Sequence, residues 1–149
     1  FDSYVVAEEF QMPISAPSMG RKIDREEELD INYFPYMTWV DWIKNLGQFH
    51  VGVHLMPTHA AGTFALNCAF HGIPCIGYEG LDTQEELHSE LTVKDGDLYS
   101  AKLLANKLND YSFYEECSTI CRENYKKSLY NEKNFVPHIT NILEELNNG

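Results

Sequence analysis

The chain has 149 residues, of which 44% are hydrophobic and 13% aromatic, and its formal net charge is −12. This length fits a single domain over residues 1–149, and the apolar content excludes an intrinsically disordered chain. The negative charge argues against a nucleic-acid partner, because a surface that binds phosphates needs cationic side chains. No apolar run approaches the ~20 residues of a membrane-spanning helix, so we expect no transmembrane segment.

The four cysteines lie in apolar periodic segments, and no two of them form a Cys-x-x-Cys pair. We therefore expect buried free thiols, which persist in a reducing compartment, and a cytoplasmic location. The sequence begins at Phe1 rather than at a methionine, and we expect it to be a fragment of a longer chain. The cysteines are Cys68, Cys75, Cys117 and Cys121.

Two strands are predicted in the first quarter of the chain. The apolar run of residues 4–7 (YVVA) suits a buried strand. Residues 31–37 (INYFPYM) suit a second strand, which Pro35 interrupts or confines to a sheet edge. The acidic residues 24–30 (DREEELD) between them are interpreted as a solvated stretch or a weak helix.

From Thr38 onward the pattern changes to a helical period. Thr38 with Asp41 resembles a capping box at the start of this helix, and Gly47 supplies the stop. Residues 50–56 (HVGVHLM) do not alternate strictly between apolar and polar, which is typical of a central strand covered on both faces. The apolar face of the predicted helix consists of Trp39, Trp42, Ile43 and Leu46.

The turn after that strand is rich in small residues. Residues 57–63 (PTHAAGT) lead into a predicted helix over residues 62–70, which Gly72 ends before a buried strand over residues 73–78. Ligands of parallel sheets bind beyond the carboxyl ends of the strands, and the free N–H groups at a helix start favour a phosphate or a pyrophosphate. The same small residues also suit an ordinary tight connection that binds nothing.

Three residues of this turn are candidates for the phosphate contact. Gly62 allows a ligand to approach the backbone closely, and Thr63 adds a hydroxyl donor. His59 lies beside them and is able to donate a hydrogen bond to a phosphate oxygen or to transfer a proton.

Helices are predicted for the rest of the chain. Asp97 is the expected N-cap of the first, and Ser112 with Glu115 forms a capping-box pattern for the second. Residues 135–146 form the last predicted helix. Since strands alternate with helices before this point, we expect an α/β domain with a doubly wound, mostly parallel, Rossmann-like sheet and C-terminal helices.

Residues 31–110 resemble the C-terminal half of the GT-B glycosyltransferases, the half that binds the nucleotide-sugar donor. The resemblance lies in the order and spacing of YFPYM, HVGVHLMP, HAAGTFALNCAFHGIPCIG and LTVKDGDLYSAKLLANKLND. In that family a helix reading Glu-Ala-x-x-x-Gly-x-Pro follows a small-residue turn, and NCAFHGIP keeps its glycine and proline. The resemblance implies a two-domain protein whose N-terminal half is missing here.

One large branch of the family carries a Glu-x7-Glu pattern, and its two positions fall on His59 and Asn67. The resemblance implies that the first position helps to hold the donor sugar or its phosphate and that the second hydrogen-bonds the ribose. Branches that use glucuronate donors place histidine first, but their second position is still an acid. An amide lacks the charge-assisted strength of a carboxylate, so Asn67 implies an altered or weakened ribose contact.

The same resemblance implies contacts for the nucleotide base and the donor sugar. Tyr36, Met37 and Thr38 correspond to the place where the family holds the base, and core packing of the first two is the alternative. Asp82 and Gln84 follow a predicted strand, where the family places groups that contact the sugar.

Two segments that resemble functional sites also have purely structural interpretations. The segment that contains Asp82 also suits a solvated loop before a helix capped by Thr83 and Glu86. Asp95 and Asp97 form a DxD sequence, but a turn followed by an N-cap explains it, and the histidines lack the spacing of a zinc site. We expect no metal and no cofactor besides a nucleoside diphosphate sugar as donor substrate.

The resemblance implies transfer of a sugar from that donor to an unidentified acceptor. In the family the base that activates the acceptor belongs to the missing N-terminal half, so we expect the isolated chain to be inactive and assign no catalytic residue. Two alternatives stay open: a Rossmann-like binding module without chemistry, and the corresponding half of a sugar-nucleotide epimerase.

Overall fold

The computed structural model describes residues 1–18, 24–57 and 62–149, and in these ranges short parallel strands alternate with helices. The helices are α1 (Asp2–Ala7), α2 (Trp39–Leu46), α3 (Thr63–His71), α4 (Asp82–Leu87), α5 (Leu98–Leu108), α6 (Tyr111–Lys127) and α7 (Glu132–Asn148). The strands are β1 (Ile14–Pro17), β2 (Ile31–Phe34), β3 (Gly52–His54), β4 (Cys75–Tyr78) and β5 (Thr92–Val93).

The strands of the described residues form two small sheets, and every pair within them is parallel. In the first sheet β1 pairs with β2. The second has the order β3-β4-β5, with Gly52 opposite Cys75 and Gly77 opposite Thr92. The predicted α/β class, the parallel pairing and the C-terminal helices are therefore confirmed, whereas the strands are divided between two sheets of two and three strands.

Helices cover both faces of the three-stranded sheet. All four residues of β4 are buried, as in a strand between two layers. Ile76 and Tyr78 belong to a core that includes Val6 of α1 and Ala101 of α5. Cys75 belongs to a second core with side chains of α2 and α3. The alternation along β4 thus places α1 and α5 on one face and α2 and α3 on the other.

The prediction of a strand over residues 4–7 is wrong, because this segment lies in α1. A run of four apolar residues is too short for periodicity to separate a strand from a buried helix. Contacts distant in sequence hold the helix: the Tyr78 hydroxyl donates to Asp2 Oδ2 at 2.8 Å, and the backbone N–H of Leu55 donates to Ser3 Oγ at 2.9 Å.

The predicted helix caps are confirmed at two helices and wrong at a third. Thr38 Oγ1 accepts from the N–H of Asp41 at the start of α2. Asp97 Oδ1 accepts from the N–H of Ser100 at the start of α5. Helix α6 is capped by Asp110 and not by Ser112, because α6 begins earlier than its capping-box pattern suggests.

Apart from residues 4–7, the predicted strands and helices are of the right kind and differ from the observed ones in their ends. Strand β3 is shorter than residues 50–56, and β2 ends before Pro35. Helix α7 is longer than residues 135–146 and contains Pro137. All four cysteines are free and buried, as predicted. No helix in the described part of the chain is both long and apolar enough to cross a membrane.

A buried histidine joins β4 to α3. The side chain of His88 has no exposed surface. Its Nδ1 accepts from the backbone N–H of Cys75 at 3.3 Å, and its Nε2 donates to the carbonyl oxygen of Ala65 at 2.9 Å. These partners suit a neutral ring, and burial lowers the pKa of His88 from 6.5 to about 4, although the Ala65 carbonyl opposes this change.

We expect His88 to make the folded state sensitive to mild acid. The pKa of this side chain is lower in the folded chain than in the unfolded chain, so the unfolded chain binds more protons between pH 6.5 and about 4. The stability that depends on neutral His88 is therefore complete above pH 6.5 and declines as the pH falls, by up to about 3 kcal/mol. Urea unfolding at a series of pH values from 7 to 4 measures this decline.

The substitution His88→Gln tests the assignment, because a glutamine amide keeps one donor and one acceptor but does not titrate. The free energy of unfolding of this variant should fall less steeply with acid than that of the native chain. The control is His138→Gln, which removes an exposed histidine from α7. Equal pH dependence in the native chain and His88→Gln would contradict the assignment.

Candidate functional site

The candidate site lies where α3 begins, after the carboxyl end of β3. His59 lies outside the described residues, so its predicted phosphate contact stays a prediction. Gly62 is the N-cap of α3 and adopts a left-handed conformation with φ 66° and ψ 18°. No side chain caps this end of α3 in the described structure. The first N–H groups of an α-helix have no acceptor within the helix, and here the N-cap residue supplies none from a side chain.

Gly62 is held from behind by the next helix. Thr83 Oγ1 donates to the carbonyl oxygen of Gly62 at 2.9 Å. A Cβ atom at Gly62 would lie 2.1 Å from the same hydroxyl oxygen, which leaves no room for a side chain. Glycine is thus required both by its backbone conformation and by its neighbour. This contact joins the start of α3 to the start of α4.

Asn67 lies one helical turn after Thr63 on α3, so the two residues share a face of the helix. Thr63 is exposed, whereas Asn67 retains only 8% of its accessible surface. Within the described ranges the Asn67 side chain forms no hydrogen bond with another part of the chain. Most nearly buried amides have an internal partner, so the lack of one for Asn67 among the described residues makes it a candidate ligand contact.

The predicted base-binding segment is exposed rather than packed in the core. Tyr36 is 91% exposed, and Met37 is half-buried. Thr38 is partly committed to the structure, since its hydroxyl donates to Asp41 Oδ2 at 2.9 Å while capping α2. The neighbouring Trp39, which the helical pattern placed on the apolar face, is 69% exposed because it occupies the first residue of α2.

Helix α2 packs against α3, but Tyr36 and Asn67 are not in direct contact in the described structure. Trp42 and Leu46 of α2 share a core with Ala65 and Cys68 of α3. Two exposed aromatic side chains, Tyr36 and Trp39, therefore lie near the start of a helix that adjoins the candidate phosphate site. Sequence periodicity missed Trp39 as a candidate.

The structure separates the two residues predicted to contact the donor sugar. Asp82 is exposed at the first residue of α4. Gln84 is only 1% exposed, and its Nε2 donates to the carbonyl oxygen of Cys75 at 2.9 Å and to Thr92 Oγ1 at 3.2 Å. Its Oε1 is buried without a partner in the described residues. Gln84 thus faces the sheet, and Asp82 faces solvent.

The alternative in which Thr83 and Glu86 cap this helix is wrong. The N-cap of α4 is Leu81, and no side chain caps it. Thr83 is turned toward Gly62 instead. Hydrophobic periodicity does not indicate the bond between Thr83 and Gly62. It shows neither that residue 62 has to be glycine nor that the Thr83 hydroxyl is buried.

Acidic groups surround the carboxyl ends of β4 and β5. Burial, together with the hydrogen bond to Asp2, raises the pKa of Tyr78 to about 12, and the charges of Asp95 and Asp97 act in the same direction. Asp97 bonds the N–H and hydroxyl of Ser100, which lowers the pKa of its carboxyl and confirms its role as a cap. The carboxylates therefore make this edge negative, and both Lys94, whose charge acts on Asp97, and the N-terminus of α3 oppose that charge.

The carboxyl end of β3 carries a histidine. The ring of His54 lies 5.5 Å from that of Phe64 on α3, and burial lowers the pKa of His54. This histidine is therefore predominantly neutral at pH 7. A neutral ring lends no fixed positive charge to an anion at this edge.

Comparisons with known protein families, with curated proteins and with solved structures found no match.

We expect Gly62→Ala to destabilise the fold more than Gly96→Ala. Both glycines have positive φ, at 66° and 79°, so each alanine carries a backbone strain of about 1 kcal/mol. Only Gly62 also has a neighbour in the way, and overlap with Thr83 adds about 1–3 kcal/mol. Nothing lies within 4 Å of a Cβ at Gly96, which makes it the matched control. Chemical denaturation of both variants measures the difference.

The substitution Thr83→Ala separates the two causes. It removes the hydroxyl that a Cβ at residue 62 would meet, so Gly62→Ala should cost less free energy of unfolding in this background than in the native chain. Equal costs in the two backgrounds would mean that backbone strain alone requires the glycine.

Proposed function

We propose that this chain is the donor-binding domain of a GT-B glycosyltransferase. In this proposal it holds a nucleoside diphosphate sugar beyond the carboxyl ends of β3 and β4. The observation that carries the proposal is the start of α3, where a left-handed glycine without a side-chain cap precedes Thr63 and a nearly buried amide, Asn67, one turn later.

The architecture supports this proposal at the level of the fold. In doubly wound α/β domains ligands bind outside the carboxyl ends of the parallel strands. The three-stranded sheet has helices on both faces, and α3 starts at that edge. We interpret this arrangement as a Rossmann-like domain of the kind that GT-B enzymes use for the donor.

The diphosphate is proposed to bind at the N-terminus of α3. The absence of a side chain at Gly62 lets phosphate oxygens approach the first N–H groups, and the helix dipole favours negative charge there. The exposed hydroxyl of Thr63 is available as a further donor. His59 is proposed to complete this contact, in keeping with the family position that it matches.

The ribose is proposed to bind Asn67. The amide oxygen accepts from one hydroxyl and the amide nitrogen donates to another, so a ribose diol satisfies both ends of the side chain. Because no charge assists these bonds, we expect weaker ribose binding than a glutamate would give.

The base is proposed to lie against residues 36–38. Exposed aromatic rings provide stacking surfaces for bases, and Tyr36 is almost entirely exposed. Asp82 and Gln84 are the proposed donor-sugar contacts, and Asp82 is the better placed because its carboxylate faces solvent. Gln84 already holds two internal acceptors through its amide nitrogen.

The proposed reaction requires no covalent nucleophile on this domain. An acceptor oxygen attacks the anomeric carbon, and the nucleoside diphosphate leaves with the electron pair of the broken bond. The helix N-terminus stabilises the charge that develops on the leaving diphosphate. The acceptor and its activating base are assigned to the missing N-terminal half, so this chain alone should bind the donor without turnover. We assign the protein to the cytoplasm and assign it no metal.

A binding module without chemistry is the second candidate. The acidic edge formed by Asp2, Asp95 and Asp97 disfavours a dianionic ligand, and Asn67 replaces an acid of the family pattern. These two observations favour a domain that keeps the fold and has lost donor binding.

Nucleotide titration followed by amide chemical shifts distinguishes the candidates. We expect UDP, GDP or ADP, alone or carrying a sugar, to shift the amide signals of residues 62–67 and 36–38, with one base preferred. Helix α7 has no role in this site, so its signals serve as the internal control. An absence of shifts at millimolar nucleotide would favour the module, and turnover by the isolated chain would contradict its predicted inactivity.

The substitution Asn67→Ala tests the ribose contact. Losing two neutral hydrogen bonds should weaken nucleotide binding by about 1–2 kcal/mol, or roughly fivefold to thirtyfold in Kd. Asn141→Ala makes the same change at an exposed position of α7 and should leave Kd unchanged. A 2′,3′-dideoxy nucleotide should bind the native chain and Asn67→Ala equally, because it has no ribose hydroxyls to lose.

A further inference from the structure

The last turn of α6 lies beside the first turn of α3. The two helices run in opposite directions, because Ser118, early in α6, donates through Oγ to the carbonyl oxygen of Gly72 at 2.6 Å, just after α3 ends. Further along α6, Cys121 shares a core with Ala69. The rest of α6 and the preceding part of α3 each extend about 9 Å beyond this contact. The turn that follows α6 is therefore near the proposed phosphate site.

The start of α4 lies at the same place. Asn124 Nδ2 of α6 donates to the carbonyl oxygen of Leu87, the last residue of α4, at 3.4 Å. At the other end of α4, Thr83 Oγ1 donates to the carbonyl oxygen of Gly62. Three helix ends therefore meet at the candidate site: the starts of α3 and α4 and the end of α6.

Tyr130 lies on the turn between α6 and α7 and is 38% exposed. Burial raises its pKa, and the charges of Glu86 and Asp82 act in the same direction, so both carboxylates of α4 lie near its hydroxyl. Other bonds hold this turn in place: Ser128 is buried, and its carbonyl oxygen accepts from Asn134 Nδ2 at 2.9 Å. The ring of Tyr130 is thus held near Asp82 by a well-supported turn.

An accessible tyrosine ring beside carboxylates has the chemistry of a sugar site. The C–H groups of a pyranose form an apolar face, which packs on an aromatic ring because the face of the ring is negative. The hydroxyl groups at the rim of the sugar donate to carboxylate oxygens in charge-assisted hydrogen bonds. Asp82 is exposed and provides such an acceptor. Ligand sites commonly combine an aromatic wall with a few polar groups of this kind.

The charge beside Tyr130 favours a neutral ligand. Among the described residues, the charges that act on its hydroxyl are those of Glu86 and Asp82, and both are negative. At the end of α6, Lys126 is paired with a glutamate of the same helix at 3.1 Å. A sugar acid would bring a third carboxylate to this place, whereas a neutral sugar brings hydroxyl donors.

We propose that Tyr130 and Asp82 bind the sugar of the nucleotide donor and that this sugar is neutral rather than a uronic acid. The inference rests on the proposed function and specifies its substrate class. It departs from what His59 implies, since that residue matches the family position of enzymes with glucuronate donors. The sugar packs on the Tyr130 ring with its hydroxyl groups toward Asp82, and the diphosphate extends toward the start of α3.

Titrations with UDP, UDP-glucose and UDP-glucuronate, followed by amide and tyrosine-ring chemical shifts, test the proposal. UDP-glucose should shift the ring signals of Tyr130 and bind at least about threefold more tightly than UDP-glucuronate. Tyr130→Ala should weaken UDP-glucose binding about threefold to tenfold and leave the Kd of UDP unchanged. Tyr130→Phe keeps the ring and should keep the affinity. The control is Tyr111→Ala, which removes an exposed tyrosine at the opposite end of α6.

The results separate the sugar contact from the donor function. Equal binding of UDP-glucose by the native chain and Tyr130→Ala, or tighter binding of UDP-glucuronate, would overturn the sugar contact and leave the donor site intact. If no nucleotide shifts the signals of residues 62–67, the donor function fails. Methyl glucoside at about 100 mM then tests the sugar contact alone. Shifts of the Tyr130 ring signals would support it, and their absence would overturn it.

Discussion

The structure depends on the way in which the first residue of β4 is hydrogen-bonded. Strand β5 pairs with β4 only from Gly77 onward, so the peptide groups of Cys75 on that side have no strand to bond. Two side chains from the α4 segment, residues 82–88, take the place of a neighbouring strand. The imidazole of His88 accepts from the N–H of Cys75, and the amide of Gln84 donates to the Cys75 carbonyl oxygen. Without them, two buried backbone groups would be unpaired, at a cost of about 1–3 kcal/mol each.

The same α4 segment also positions the start of α3. His88 donates to the carbonyl oxygen of Ala65, and Thr83 donates to that of Gly62. Three polar side chains on one short segment therefore fix β4, α3 and the turn at the candidate phosphate site relative to one another. Since a binding loop is precise only when rigid elements support it, these buried bonds give the start of α3 a defined geometry.

The sequence predicted these elements well where the evidence was local and poorly where it was not. Thr38 and Asp97 were recognisable as caps because a cap and its partner lie three residues apart. Residues 4–7 were misread because the contacts that hold α1, to Tyr78 and Leu55, come from far along the chain. The division of the strands into two sheets is likewise a property of long-range pairing.

The candidate site shows the same distinction. A small-residue turn after a strand indicated the location of Gly62 and Thr63 from spacing alone. The family resemblance grouped Asp82 with Gln84, but the Asp82 side chain faces solvent, whereas Gln84 bonds both β4 and β5. Periodicity identifies which residues follow a strand, and it does not identify which of them the sheet edge requires for its own hydrogen bonds. A polar residue next to a buried strand therefore either contacts a ligand or satisfies the hydrogen bonds of the sheet edge, and the sequence does not show which.

The balance of charge at the sheet edge determines what this site is able to bind. A helix N-terminus carries about half a positive charge, whereas a diphosphate carries two or more negative charges, and Asp95 and Asp97 add negative charge near Tyr78 at the end of β4. The α3 dipole alone is too weak to offset that repulsion, so strong binding of a diphosphate needs a cation from elsewhere. Lys94, whose charge acts on Asp97, is a cation that the described structure places at this edge, whereas Arg21 and Lys22 lie outside the described residues. For the proposed nucleotide-sugar donor, contacts to the neutral base and ribose would therefore contribute more to selectivity than the charge of the diphosphate does.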